Sequence, residues 1–289
     1  MRLAPLALLI LLAGCGGSHT AASTVLRDGD VEVGEVKPLS AFRLAGVWSY
    51  TGLVSPALPT GHRGRGRLFF LEPYDARRIP VVFIYGMTGT PTQFEALVAA
   101  LDRTRFQPWV FHYRSGDRLG ASAGQLWRAL AVARRRFGVS RVVLVAHSMG
   151  GLVTRQALNL WMTDTASGGA PEIPCVVTLA SPLGGHPSAA PGAAAPAGVP
   201  AWTDLAPGSA FLQNLYAHPL PDSVAYLLVT ATGQDGTTDG VVPVAYQRAP
   251  GALREAGQQS AFPTSHVGIL SDPEALRAVR SFLDKCAGT

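Results

Sequence analysis

The sequence predicts an α/β protein built on a mostly parallel, doubly wound sheet with helices on both faces. Two observations lead there. Short runs of uninterrupted aliphatic residues recur along the chain, as in strands covered on both sides. Between them, apolar residues return at helical spacing, so the order is strand, helix, strand, helix, which favours parallel pairing with crossover helices. With 289 residues and 47% hydrophobic content, one large domain has enough apolar material for its core.

Taken in order, "IPVVFIY" at 79–85 is the first continuous aliphatic run. Phe94, Leu97, Val98 and Leu101 follow at helical spacing, with Thr90 and Pro91 as cap and first position. "FQPWVFHY" at 106–113 is a second strand, and Leu119, Ala123, Leu126, Trp127, Leu130 and Phe137 mark a second helix. A third strand spans 141–146, followed by a helix carrying Leu152, Val153 and Ala157. Beyond lie a strand "CVVTLA" at 175–180, a helix near 205–217, a strand "VAYLLVT" at 224–230 and a last helix opened by Asp272 and Pro273. Residues 41–289 read as this one domain.

Around the domain the chain changes character. Arg2 followed by the apolar run "LALLILLAG" reads as an export signal over residues 1–14, too short to span a bilayer as a mature helix. At its end "LAGC" resembles the lipobox of bacterial lipoproteins, which implies cleavage before Cys15 and lipid attached to its sulfur. A multiply acylated cysteine holds a protein stably at a membrane. Gly16 stands where an inner-membrane retention signal would carry Asp, so the expected location is the bacterial outer membrane or the periplasmic face. Residues 15–40, polar and rich in Gly, Ser and Thr, read as the lipidated N-terminus and a tether. The formal net charge is +5, but 22 of the 24 basic residues are Arg and they are scattered, with no aromatic-interleaved stripe. Nucleic acid is not an expected partner. Cys175 and Cys286 are open to two readings, a disulfide permitted by an oxidising compartment or two small buried hydrophobes.

Chemistry enters at "VVLVAHSMGG", residues 142–151, where a buried strand stops on a serine. A chain that turns sharply from strand into helix crowds its neighbours, and Ala146 and Gly150 supply the small residues such a turn demands. Placed after a strand and before an amphipathic helix, this pentapeptide resembles the nucleophile elbow G-x-S-x-G of the α/β-hydrolase family, with Ala in first place. The resemblance covers about residues 75–285 and implies the α/β-hydrolase fold and a serine nucleophile, Ser148. In this family the order is serine, acid, histidine. His266, in "SHVGIL" just before the last helix, is the only histidine after residue 218 and resembles the family's base. For the acid, "GQDGTTDGVVPV" offers Asp235 and Asp239; the "DGVV" turn of bacterial lipases favours Asp239, while either could shape a turn. The base takes the serine proton, and the acid holds the imidazole tautomer. The resemblance gives the oxyanion donors as the backbone N–H of Met149 and of Met87, the latter in "YGMTGTP", which looks like the lipase "HGM" loop with Tyr85 in place of histidine.

"LASPLGGHP" resembles the "STPHGG" segment of lipase-like members and directs the reading toward lipid-like or acylated esters. The low-complexity stretch 187–201, within 184–222, reads equally as a cover over the site or as an inert insertion. Val267 and Gly268 stand where such lipases often place a calcium-binding aspartate, so no metal or cofactor is expected. The function implied is a lipid-anchored serine esterase or lipase. Alternatives are an acyltransferase using the same triad and a non-catalytic interaction protein on a hydrolase scaffold.

Overall fold

The computed structural model describes residues 25–42, 64–163, 169–193 and 198–286. The export signal, Cys15 and part of the low-complexity stretch lie outside the described residues. Nine strands form one sheet: β1 (Leu26–Asp28), β2 (Val31–Val36), β3 (Gly66–Phe70), β4 (Ile79–Ile84), β5 (Phe106–His112), β6 (Arg141–His147), β7 (Glu172–Leu179), β8 (Ala225–Ala231) and β9 (Gln258–Phe262). Their spatial order is β1-β2-β3-β5-β4-β6-β7-β8-β9. From β5 to β9 every neighbour pairs in parallel; β3 runs antiparallel to β5, and β1 antiparallel to β2.

The helices used below are α1 (Glu95–Ala100), α2 (Leu119–Phe137), α3 (Gly150–Thr163), α4 (Ala189–Ala193), α5 (Pro200–Leu205), α6 (Ala210–Leu215), α7 (Val244–Gln247), α8 (Pro250–Glu255) and α9 (Pro273–Cys286). Alternation of side chains sends successive residues of β4 to opposite faces. Phe83 lines a small apolar cavity together with Leu97 of α1 and Leu276, Val279 and Leu283 of α9, so these helices lie over its face. Ile84 pairs in register with Phe111, whose ring approaches Gly66 beside Gln125 of α2, so α2 covers the other face. Val81, Val82, Ile84, Val142, Val143, Leu144 and Val145 are fully buried, as their continuous aliphatic runs require. Among the described residues no helix is long and apolar enough to cross a membrane.

Three expectations need correction. Residues 26–36 are not tether. "DGD" closes a tight hairpin with Gly29 at φ +56, and Val31 and Val33 are wholly buried where β2 pairs with β3, so the folded domain starts well before residue 41. The single helix expected near 205–217 is two, α5 and α6, because the segment between them is "APGS" and Ser209 caps the second by accepting the Leu212 N–H. Pro91 opens a 3-10 turn, Pro91–Phe94, ahead of α1, and Thr90 makes no side-chain cap.

The chain steps from β4 outward to β5 and returns across β4 to β6. That reversal leaves a crevice at the carboxyl ends of β4 and β6, where ligands of such sheets bind. Cys175 of β7 and Cys286 at the end of α9 are joined by a disulfide, with Cα atoms 6.0 Å apart. Of the two readings the sequence left open, the structure takes the cross-link.

Candidate active site

Ser148 follows β6 directly. Its φ is +55, in the left-handed region a side chain rarely adopts, and its N–H extends the ladder by donating to Leu179 O at 2.9 Å. Its own carbonyl accepts the Gly151 N–H at 2.9 Å and so starts α3. A Cβ at Gly150 would run into the carbonyl oxygens of Ile84 and Tyr85, which explains the small residue there. Thr88 and Ala180, after β4 and β7, also take positive φ, so all three such non-glycine residues among those described lie at the carboxyl ends of adjacent strands.

The turn brings together what the sequence set far apart. Ser148 Oγ lies 2.9 Å from His266 Nε2, and His266 Nδ1 lies 2.7 Å from Asp239 Oδ2. Asp239 is 2% exposed. Burial alone would raise its pKa, but hydrogen bonds from His266 and from the N–H groups of Val242 and Val241 outweigh it and hold the carboxyl below its ordinary range. An ionised carboxylate only accepts, so His266 Nδ1 carries the ring proton and Nε2 accepts from the Ser148 hydroxyl. Gln247 Nε2 donates to Asp239 Oδ2 at 3.0 Å and to Ala231 O at 2.8 Å, fixing the carboxylate to the end of β8. Asp235, the other candidate acid, is exposed and caps its own turn by accepting the Thr237 N–H.

The loop after β4 reaches the same point. A Cβ on Gly86 would stand 2.5 Å from Ser148 Cβ, 2.8 Å from its Oγ and 3.1 Å from Met149 N, so only glycine lets this backbone approach. Among the described residues, neither the Met87 nor the Met149 N–H is engaged in a hydrogen bond. Where the resembling lipases carry histidine, Tyr85 braces the loop by another route. Its hydroxyl donates to Tyr113 O at 2.8 Å and accepts the Tyr113 N–H at 3.0 Å, and the Tyr113 hydroxyl donates back to Tyr85 O at 2.7 Å. Ser115 Oγ accepts the Thr88 N–H, and the Trp202 indole N–H points at the Met87 sulfur.

The segment expected as a cover or insertion, 184–222, is tied to this frame. Buried Asp204 accepts the Leu119 N–H at 2.7 Å and pairs with Arg118, thereby capping α2. His186 Nε2 donates to Val241 O at 2.7 Å, beside the Asp239 turn. Val241 and Val267, next to Asp239 and His266 in the chain, are 54% and 63% exposed. Among the described residues no three of His, Cys, Asp and Glu gather as a metal would need.

Two polar residues of the site, His147 and Gln93, carry no sequence signal of their own. His147, 4% exposed, donates from Nε2 to His266 O at 2.8 Å and accepts at Nδ1 from Gln93 Nε2 at 2.9 Å.

Comparison with known proteins agrees with this fold. The α/β-hydrolase fold family model matches residues 79–216. No curated protein matches the sequence. Among solved structures, the mature Bacillus licheniformis lipase BlEst2 superposes with a TM-score of 0.57 at 20% identity, over 75% of this chain and 97% of that one. A gene product of Listeria innocua gives 0.54 at 15% identity, over 72% and 94%. Aspergillus fumigatus lipase B gives 0.58 at 13% identity, over 76% of this chain and 56% of that one. With a mostly parallel sheet, a serine on a strained turn after β6 and a family model matching over residues 79–216, the chain has the α/β-hydrolase fold.

Proposed function

We propose that the protein is a serine hydrolase that cleaves carboxylic esters of lipid-like or acylated substrates through an acyl-enzyme. The observation that carries this reading is the unbroken hydrogen-bond chain from Ser148 Oγ through His266 to Asp239. As Ser148 Oγ attacks the ester carbonyl carbon, His266 Nε2 takes its proton. The carbonyl oxygen gathers negative charge and meets the Met87 and Met149 N–H groups, donors of a kind whose individual loss costs about 3 kcal/mol of transition-state stabilisation. The tetrahedral intermediate collapses, the proton passes from Nε2 to the departing alkoxide, and an acyl-Ser148 remains. Water then attacks the acyl carbon, giving a proton to His266 Nε2; as the bond to Ser148 Oγ breaks, His266 returns that proton to Oγ and the carboxylic acid is released. Asp239 keeps the tautomer and offsets the imidazolium charge without taking the proton. The lipase neighbours and the exposed Val241 and Val267 support an apolar acyl group as substrate.

Reaction with a fluorophosphonate is the direct test. The wild-type protein is expected to label to completion, and a folded Ser148→Ala variant not to label; a wild type that ignores the probe, or a variant that labels equally, overturns the reading. p-Nitrophenyl esters of graded length then place it between short-chain esterase and lipase. We further propose export and anchoring through Cys15 at the outer membrane or periplasmic face. The "LAGC" sequence and the disulfide support this. Cys15→Ser should move the protein from the membrane fraction to the soluble one, and a variant still wholly membrane-bound would sink the anchor.

A further inference from the structure

We propose that His147 is a positioning residue for this reaction: with Gln93 it fixes the backbone of His266 so that the imidazole meets Ser148. The inference rests on the reading of Ser148, His266 and Asp239 given above. His266 lies on a loop beyond β9 whose flanking residues, Ser265 and Val267, are exposed, so ring placement depends on how its own peptide groups are held. Its N–H is held by Asp239 O at 2.9 Å. Its carbonyl is held by His147 Nε2 at 2.8 Å. A carbonyl oxygen only accepts, so Nε2 of His147 carries the proton; Nδ1 is then the acceptor, and the Gln93 amide is its donor at 2.9 Å. Both nitrogens of a buried imidazole are thus satisfied in one tautomer.

The placement of the three residues gives this pair its function. Gln93 belongs to the Pro91–Phe94 turn that follows the Met87 loop, His147 is the last residue of β6 beside the nucleophile, and His266 is the base. One chain of two hydrogen bonds joins the segment after β4, the end of β6 and the loop after β9, each of which lies beside a different part of the proposed chemistry. The two imidazole rings are 4.8 Å apart between centroids. When His266 takes the serine proton, a charged neighbour at that distance would oppose it, and burial keeps His147 neutral.

His147→Leu removes both hydrogen bonds, whereas His147→Gln keeps a terminal amide N–H for the His266 carbonyl. A misplaced base costs transition-state stabilisation more than ground-state binding, so His147→Leu should lower kcat by about 10- to 100-fold with KM within about twofold. His147→Gln should recover kcat to within about fivefold of wild type. Wild-type kcat in a folded Leu variant, or equal losses in both variants, overturns the proposal. If His147→Leu fails to fold, Gln93→Leu serves in its place, with a drop of about 3- to 10-fold expected and an unchanged kcat decisive against us. Imidazole nitrogen–proton NMR of the wild type needs no turnover: it should show His147 as the Nε2–H tautomer, and Nδ1–H would refute the tether. A correct tautomer together with no fluorophosphonate labelling would instead locate the failure in the hydrolase reading.

Discussion

The His147 imidazole has its pKa pushed down to about 3, first by burial and second by the neighbouring His266, against an ordinary value of 6.5. The folded protein therefore leaves this ring neutral while the unfolded chain protonates it. Above pH 6.5 the two states do not differ; as pH falls from there toward 3, the unfolded chain binds the extra proton and stability is lost. Between pH 7 and pH 5 this group alone removes about 2 kcal/mol. Chemical denaturation at both pH values checks it: His147→Gln should lose less stability over that interval than wild type, and equal losses would contradict the assignment. Ser148, Asp239 and His266 were legible in the sequence because elbow, acid turn and histidine loop each carry a local pattern in a fixed chain order. His147, Gln93 and Gln247 were not, because what makes them matter is a partner 54, 119 or 8 residues away that no spacing rule announces.

At the scale of elements, the loop after β4 is where small changes cost most. Gly86→Ala places a methyl 2.5 Å from Ser148 Cβ and 3.1 Å from Met149 N, so nucleophile and donor must both shift. The expected result is a loss of kcat of about 100-fold. Thermal unfolding should show a cost of about 1–3 kcal/mol. Full activity in that variant would show that the loop stands elsewhere in solution. The strands that position the site were legible as aliphatic runs, since β4 to β8 are covered on both faces. The edges were not. β9 reads "QQSAF" and is largely exposed, β1 reads "LRD" and β2 mixes glutamate with valine, so no continuous apolar run marks them. In β2 the alternation is nonetheless present, and Val31 and Val33 act on it. The Tyr85–Tyr113 exchange shows how this chain ties the loop without that histidine: each phenol bonds the other residue's backbone.

Across the whole molecule, the cross-link between Cys175 and Cys286 spans 111 residues. Closing a loop of that size removes about 4–5 kcal/mol of unfolded-state entropy in the chain-entropy account. The Cys175→Ala/Cys286→Ala pair should lower stability by about 2–5 kcal/mol, and an unchanged melting temperature would show that the last helix is held by packing alone. The bond also divides the site. Asp239 and His266 fall inside the closed segment, while Ser148 and the Met87 loop fall outside it. If the proposed triad operates as argued above, reduction should lower fluorophosphonate labelling together with the melting temperature, and labelling unchanged in a reduced, destabilised protein would show that the site does not depend on the bond.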